Sequence, residues 1–275
     1  MSNISLIAID LDGTLLDNQK RVSSANRKAI QQALAQGIHI IIATTRNVYF
    51  VEPLCDELGI TDPIVCSNGA MVFGPTTPQG RAEWVRYEIP HEVALALATV
   101  ADEHGWEMSA TVGDINYLHQ RAGQPLGQQT PYRAIVASNV DAVPGPPIRM
   151  LTWNQEAITH LNWLCETKFS TSCYTETYIE PDGSVQSMGI FPRIDASTQA
   201  NKGSGLALVL QKLGLTTEHV MAIGDNNNDL ALFSQARIRV GMGNGTPEIH
   251  AASTVIAPTN EEDGVAWAIE RFGLR

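Results

Sequence analysis

Leu6-Ile7-Ala8-Ile9-Asp10-Leu11-Asp12-Gly13-Thr14 is a four-residue apolar run that stops at two carboxylates and a glycine. A short, unbroken apolar run predicts a strand buried on both faces, as in a parallel sheet. Asp10 and Asp12 would then leave its carboxyl end, the edge at which open α/β sheets bind ligands. Two like charges that close need a cation or a shared proton. The competing reading is an Asx turn that ends a strand. A calcium loop of the EF-hand type is excluded, because Leu15 and Arg21 stand where its sixth-position Gly and twelfth-position Glu belong.

Outward from this strand, 23–36 reads as a helix with Ser23 as N-cap and Gly37 beyond its end. The Ile-rich run 38–43 is a second strand, 48–58 a helix and 64–66 a third strand. This βαβαβ order implies a parallel sheet with right-handed crossovers. The same grammar returns near residue 203, with a helix to 213, strands at 220–223, 238–240 and 254–257, and helices at 229–235 and 264–272. Between 85 and 191 the grammar changes: strand 85–89, helix 91–104, hairpin 106–119, then strand 148–153, helix 155–168, strand 170–174 and a turn at Pro181-Asp182-Gly183. The offset of 63 to 64 residues between the two runs suggests a duplicated unit. The predicted fold is a Rossmann-like α/β core formed by 1–84 and 192–275, with an inserted α+β domain at 85–191.

A second acidic signal, Gly224-Asp225-Asn226-Asn227-Asn228-Asp229, also follows an apolar strand. By itself it fits a polar turn with Asp229 in a first helical turn, where the dipole favours it. With Asp10 and Asp12 it makes a four-Asp cluster that needs a hard cation such as Mg²⁺. Thr44 ends the Ile-rich strand, where its hydroxyl can hydrogen-bond a phosphate oxygen. Lys202 sits at a helix start, where a cation opposes the dipole, a mild violation that points to function. Two glycine-rich stretches fail as nucleotide motifs: the run 241–246 has Thr246 at the third-glycine position, and Lys202-Gly203-Ser204 lacks the glycine spacing of a P-loop. His39 reads as a core histidine, and Cys55, Cys66, Cys165 and Cys173, with no CxxC pair, as buried reduced thiols.

Composition narrows the function further. The 275 residues carry a formal charge of −11, which disfavours a nucleic-acid partner. No apolar run approaches the ~18 residues needed to span a membrane. The start of the chain has no basic, signal-like region, so a cytoplasmic location is expected.

In this order, Asp10-x-Asp12-Gly13-Thr14-Leu15, the strand-ending Thr44, Lys202 and Gly224-Asp225-x-x-Asn228-Asp229 resemble the four motifs of the haloacid dehalogenase (HAD) superfamily. The long insertion between the second and third motifs, Asn68-Gly69-Ala70 and Met242-Gly243-Asn244 make the chain most similar to Cof-type phosphatases with a large α/β cap. The resemblance implies a Mg²⁺-dependent phosphatase acting on small phosphate monoesters, sugar phosphates foremost. It implies Asp10 as the nucleophile forming an aspartyl-phosphate and Asp12 as the acid and then the base. Asp10, the backbone carbonyl of Asp12, and Asp225 would hold the metal, with Asp229 in support. Thr44, Lys202 and Asn228 would bind the phosphoryl group. Thr45 replaces the glycine usual after the second-motif Thr, and Gly241 and Gly245 stand where Ala is usual. A phosphomutase on the same chassis and a non-catalytic phosphate-ester binder are the alternatives. Between Val85 and Ile190, five basic residues face twelve acidic ones, a net −7 against −4 for the rest, so the insertion is expected to disfavour polyanions.

Overall fold

All four residues of β1 (Leu6–Ile9) are buried, as an unbroken apolar run must be when helices cover both faces of its sheet. The structure, a computed structural model, describes residues 4–119, 131–179 and 184–274. From β1 the chain runs through α1 (Ser24–Ala35), β2 (His39–Ala43), α2 (Val48–Leu58), β3 (Ile64–Cys66), β4 (Met71–Thr77) and β5 (Gly80–Arg86). Next come α3 (His91–His104), β6 (Met108–Val112), β7 (Ile115–His119), β8 (Arg133–Val136), β9 (Arg149–Thr152), α4 (Gln155–Thr167), β10 (Cys173–Ile179) and β11 (Val185–Pro192). The first pattern then resumes with α5 (Lys202–Leu213), β12 (Val220–Gly224), α6 (Leu230–Phe233), β13 (Ile238–Gly241), α7 (Pro247–Ala252), β14 (Val255–Ile256) and α8 (Gly264–Ala268).

The described residues form two compact units, 4–85 with 201–274, and 86–179 with 184–200. In the first, the sheet order is β14-β13-β12-β1-β2-β3-β4-β5. β1 pairs in parallel with β2 on one side and β12 on the other, Ile9 lying opposite both Ile42 and Ile223. The chain therefore leaves β1 toward β2 and returns much later on β1's other flank. This reversal of strand order opens a crevice at the carboxyl ends of the three strands. Asp10, Thr44 and Asp225 are the residues that follow them.

A buried apolar layer that includes Leu6, Ala8, Ile41, Val65, Leu206, Val209 and Ala222 fixes α5 against this sheet. The chain beyond β3 fixes its start. Ser67, Asn68 and Gly69 have φ of 48°, 58° and 92°, three successive left-handed residues. Their loop is tied to the β2 end by hydrogen bonds from the Asn68 amide to the Thr44 carbonyl (2.9 Å) and from the Ser67 amide to the Arg46 carbonyl (2.9 Å). A Cβ on Gly69 would lie 2.0 Å from the carbonyl oxygen of Asn201, the residue that caps α5. Backbone meets backbone there, so Gly69 sets where Lys202 enters the crevice.

The second unit has the sheet order β10-β11-β9-β6-β7-β8 and its own core, in which Leu97, Ala101, Leu161 and Cys165 of α3 and α4 meet Met108, Met150 and Ile190 of the strands. Here the expectations need correction. Val85 belongs to β5, which extends the first unit's sheet, so the 85–89 strand is absent and the repeat loses its first element. The β4–β5 hairpin escaped the pattern because Gly74 and Pro75 lie inside β4, where both normally argue against a strand. The chain leaves the second unit at 200 instead of 191, since Arg193 bridges Gln199 and the Ala200 amide donates to the Pro192 carbonyl. The turn expected at 181–183 lies outside the described residues. His39 is not a core residue: its side chain is 39% exposed and its Nδ1 lies 2.7 Å from Asp62. The four cysteines are free and buried, as read.

Gly69→Ala would combine a left-handed Cβ with a backbone collision. It should lower the unfolding free energy by about 2–3 kcal/mol in urea titration.

Candidate active site

Asp10 follows β1 directly and is buried, 5% exposed. Its backbone amide still donates to the Ile223 carbonyl of β12, while its carbonyl accepts from the Leu15 amide, so the chain coils tightly at the strand end. Gly13 permits the coil: its φ is +83°, and a Cβ there would lie 2.3 Å from an Asp225 carboxylate oxygen. The same approach lets the Thr14 hydroxyl donate to Asp225 Oδ1 at 2.6 Å. Asn244 buttresses the coil from the β13–α7 loop, its amide donating to the Gly13 carbonyl at 2.8 Å.

Asp225 and Asp229 leave β12 through a short 3-10 turn. Asp229 Oδ2 accepts from the backbone amides of Asp225 (3.0 Å) and Asn226 (3.2 Å), which fixes its position. The Thr246 hydroxyl, donating to Asn227 Oδ1 at 2.7 Å, pins the same turn from outside. Lys202 enters from α5. Its ammonium, 1% exposed, donates to Asp10 Oδ1 at 2.7 Å and to Asp229 Oδ1 at 2.6 Å. This explains the cation at a helix start, because two carboxylates outweigh the unfavourable dipole.

Carboxylate oxygens of Asp10, Asp225 and Asp229 lie within 4.8 Å of one another. Three carboxylates against one ammonium leave an excess of two negative charges in a buried place. Burial pushes Asp10 up to about 7, with Lys202 opposing the shift and Asp229 adding to it. Burial, with Asp10 and Asp229 nearby, also raises Asp225 well above the usual carboxylate range. Burial alone would lower Lys202, yet Asp10 and Asp229 outweigh it and raise it. Unfilled charge demand and hard oxygen donors are what a divalent cation satisfies, so these residues fit such a metal.

Asp12 stands apart from this cluster. Its side chain is 36% exposed and is gripped by Arg46, whose Nε donates to Oδ2 and whose Nη2 donates to Oδ1, both at 2.7 Å. The Lys20 ammonium donates to Oδ1 at 2.8 Å. Although burial acts to raise it, the bonds from Arg46 and Lys20 prevail and hold Asp12 below the usual carboxylate range. Thr44 is buried at the adjoining strand end, its hydroxyl accepting from the Arg46 amide at 3.1 Å. Asn228 shares the short turn with Asp229. Sequence reasoning named Asp10, Asp12, Thr44, Lys202, Asp225, Asn228 and Asp229 but gave no role to Thr14, Arg46 or Lys20. Arg46 was findable two residues beyond a strand-ending Thr, whereas Lys20 carries no pattern.

The model of the haloacid dehalogenase-like hydrolase family matches residues 7–269. A 5-amino-6-(5-phospho-D-ribitylamino)uracil phosphatase of Bacillus subtilis, YcsE, is 28% identical over 99% of this chain and 97% of its own length. A phosphoglycolate phosphatase of Methanobrevibacter smithii is 25% identical over 99% of this chain and all of its own. In fold, the chain is similar to a haloacid dehalogenase-like hydrolase from Bacteroides thetaiotaomicron, with TM-score 0.79, 24% identity and coverage of 98% and 99% of the two chains.

Removing the buried cation leaves two carboxylates uncompensated. Lys202→Met should cost about 3–5 kcal/mol of stability. In thermal denaturation, millimolar divalent cation should restore part of that loss, and Asp225→Asn should weaken the restoration.

Proposed function

Because this chain belongs to the haloacid dehalogenase-like hydrolase family, we propose that it is a Mg²⁺-dependent phosphatase that cleaves small phosphate monoesters, sugar and polyol phosphates foremost, through an aspartyl-phosphate on Asp10. Its class, phosphoric monoester hydrolase, follows from the family and from relatives named as phosphatases. The observation that carries the finer reading is the buried Asp10 carboxylate, held by Lys202 beside two further carboxylates at a strand-end crevice.

Asp10, the backbone carbonyl of Asp12, and Asp225 would hold the Mg²⁺, with Asp229 supporting them. When bound, the ion neutralises the carboxylates and lets a phosphate dianion approach. The remaining chemistry belongs to the side chains. An Asp10 oxygen attacks phosphorus as the ester P–O bond breaks, and the carboxyl group of Asp12 gives its proton to the leaving oxygen. Asp12, now a carboxylate, takes a proton from a water whose oxygen attacks phosphorus, and the bond to Asp10 breaks. Lys202 orients the Asp10 carboxylate and faces the phosphoryl group, and the Thr44 hydroxyl and the Asn228 amide donate to its oxygens.

Two relatives are named for small substrates that each carry a single phosphate, a phosphoribitylaminouracil and phosphoglycolate. We take the inserted unit as the selector of the leaving group, a cap in function. Its acidic balance disfavours polyanions, while hydroxyls can be hydrogen-bonded selectively.

Asp10→Asn should cut phosphate release by roughly a thousandfold or more while a phosphate ester still binds. Near-wild-type turnover would remove Asp10 from the reaction, and undiminished turnover in excess chelator would remove the metal. For selectivity, kcat/KM should be higher for sugar monophosphates than for nucleoside triphosphates, and the reverse order overturns the substrate class.

A further inference from the structure

We infer that Arg46 and Lys20 are positioning residues that together hold the Asp12 carboxylate in the orientation proton transfer requires. The inference rests on the proposed phosphatase chemistry and assigns two residues that chemistry leaves unused.

Three features separate this arrangement from an ordinary surface ion pair. First, the Arg46 fork binds both oxygens of one carboxylate, which fixes the plane of the group as well as its place. Second, Arg46 is itself anchored on both sides, its amide donating to the Thr44 hydroxyl and its carbonyl accepting from the Ser67 amide. The fork thus stands in register with the strand end that carries Thr44. Third, Lys20 is a non-glycine residue at φ +62°. Its turn is closed by the Lys20 amide donating to the Asp17 carbonyl (2.8 Å) and the Asp17 amide donating to the Arg21 carbonyl (2.9 Å). Glycine would suit that backbone better, yet lysine places an ammonium 2.8 Å from Asp12. Strain of this kind collects at functional sites.

A group that gives a proton to the leaving oxygen and later takes one from water must present the same oxygen in both steps. Arg46 and Lys20 together take both lone-pair directions of Oδ1 and the fork takes one of Oδ2, which leaves a direction on Oδ2 to serve the ester oxygen and then the water. Without the clamp, a half-exposed carboxylate on a loop would rotate freely.

The test is single-turnover formation of the aspartyl-phosphate by rapid quench with Mg²⁺, using an alkyl phosphate and a nitrophenyl phosphate, whose leaving group needs little protonation. Arg46→Met should slow the alkyl ester about tenfold more than the nitrophenyl ester. Inhibition by vanadate, a phosphate mimic, should stay within about twofold of wild type. On an Asp12→Asn background the same substitution should cost almost nothing further. Arg46→Lys, which keeps the charge without the fork, should show a smaller loss of the same selectivity and serves if Arg46→Met fails to fold. Lys20→Gly should melt no lower than wild type and still slow the alkyl ester. Equal losses on both esters, multiplying losses in the double variant, or weakened vanadate inhibition would overturn the role of Arg46. An unchanged alkyl rate in Lys20→Gly would overturn that of Lys20. If the wild-type enzyme forms no aspartyl-phosphate from either ester, it is the proposed function that fails.

Discussion

The structure depends on one buried ammonium. Lys202 joins Asp10 at the end of β1 to Asp229 beyond β12, across 192 and 27 residues of sequence. Each of the three groups would be prohibitively costly in that place alone, and each is tolerable only when the others are in position. The ammonium therefore requires that α5 begin exactly where two parallel strands end, which in turn requires the bare backbone of Gly69 against Asn201. Packing of the apolar layer under α5 supplies the driving force, and the ion cluster supplies the register.

The charge balance around this point divides the first unit's strand-end loops in two. Asp10, Asp225, Asp229 and Lys202 form a buried group with an excess of two negative charges. Asp12, Arg46 and Lys20 form a half-exposed group with an excess of one positive charge. The first group demands a cation and the second is hospitable to an anion. A metal ion and a phosphate dianion are a pair of opposite charges that meet both demands at once. This follows from the side chains of one unit alone.

Much of this was legible because chemistry-bearing residues sat at the ends of strong patterns. Asp10, Thr44 and Asp225 each follow an unbroken apolar run, and Lys202 was conspicuous as a cation at a helix start. What stayed hidden depended on backbone geometry or on competing local signals. Lys20 reaches Asp12 from a turn in which its own φ is positive, which no spacing announces. The β4–β5 hairpin was masked by Gly74 and Pro75, and its loss misassigned Val85 to the insertion. The α7 helix is readable from Thr246 as N-cap followed by Pro247, but the glycines of 241–245 point to a nucleotide motif first, and no element is read between them and the strand at 254–257. His39 sits at the first position of β2, where the run of isoleucines suggested a burial that the strand's amino-terminal end does not provide.

Asp10 and Asp12 show how far environment, not residue type, sets chemistry. They are two residues apart on one coil, identical in side chain, and their surroundings push their proton affinities in opposite directions. Burial beside like charges raises Asp10, so its ionised form depends on compensation by Lys202 and by any cation the cluster takes up. Burial acts to raise Asp12 as well, but the hydrogen bonds from Arg46 and Lys20 prevail and lower it, so its charge is compensated by these two side chains. Two neighbouring carboxyl groups whose surroundings push them apart in this way are suited to different tasks, and here it is the buried one whose ionised form needs a cation. Gly13, just beyond Asp12, lets this coil close against Asp225, with Asp10 bonded to Lys202 on one side and Asp12 to Arg46 on the other.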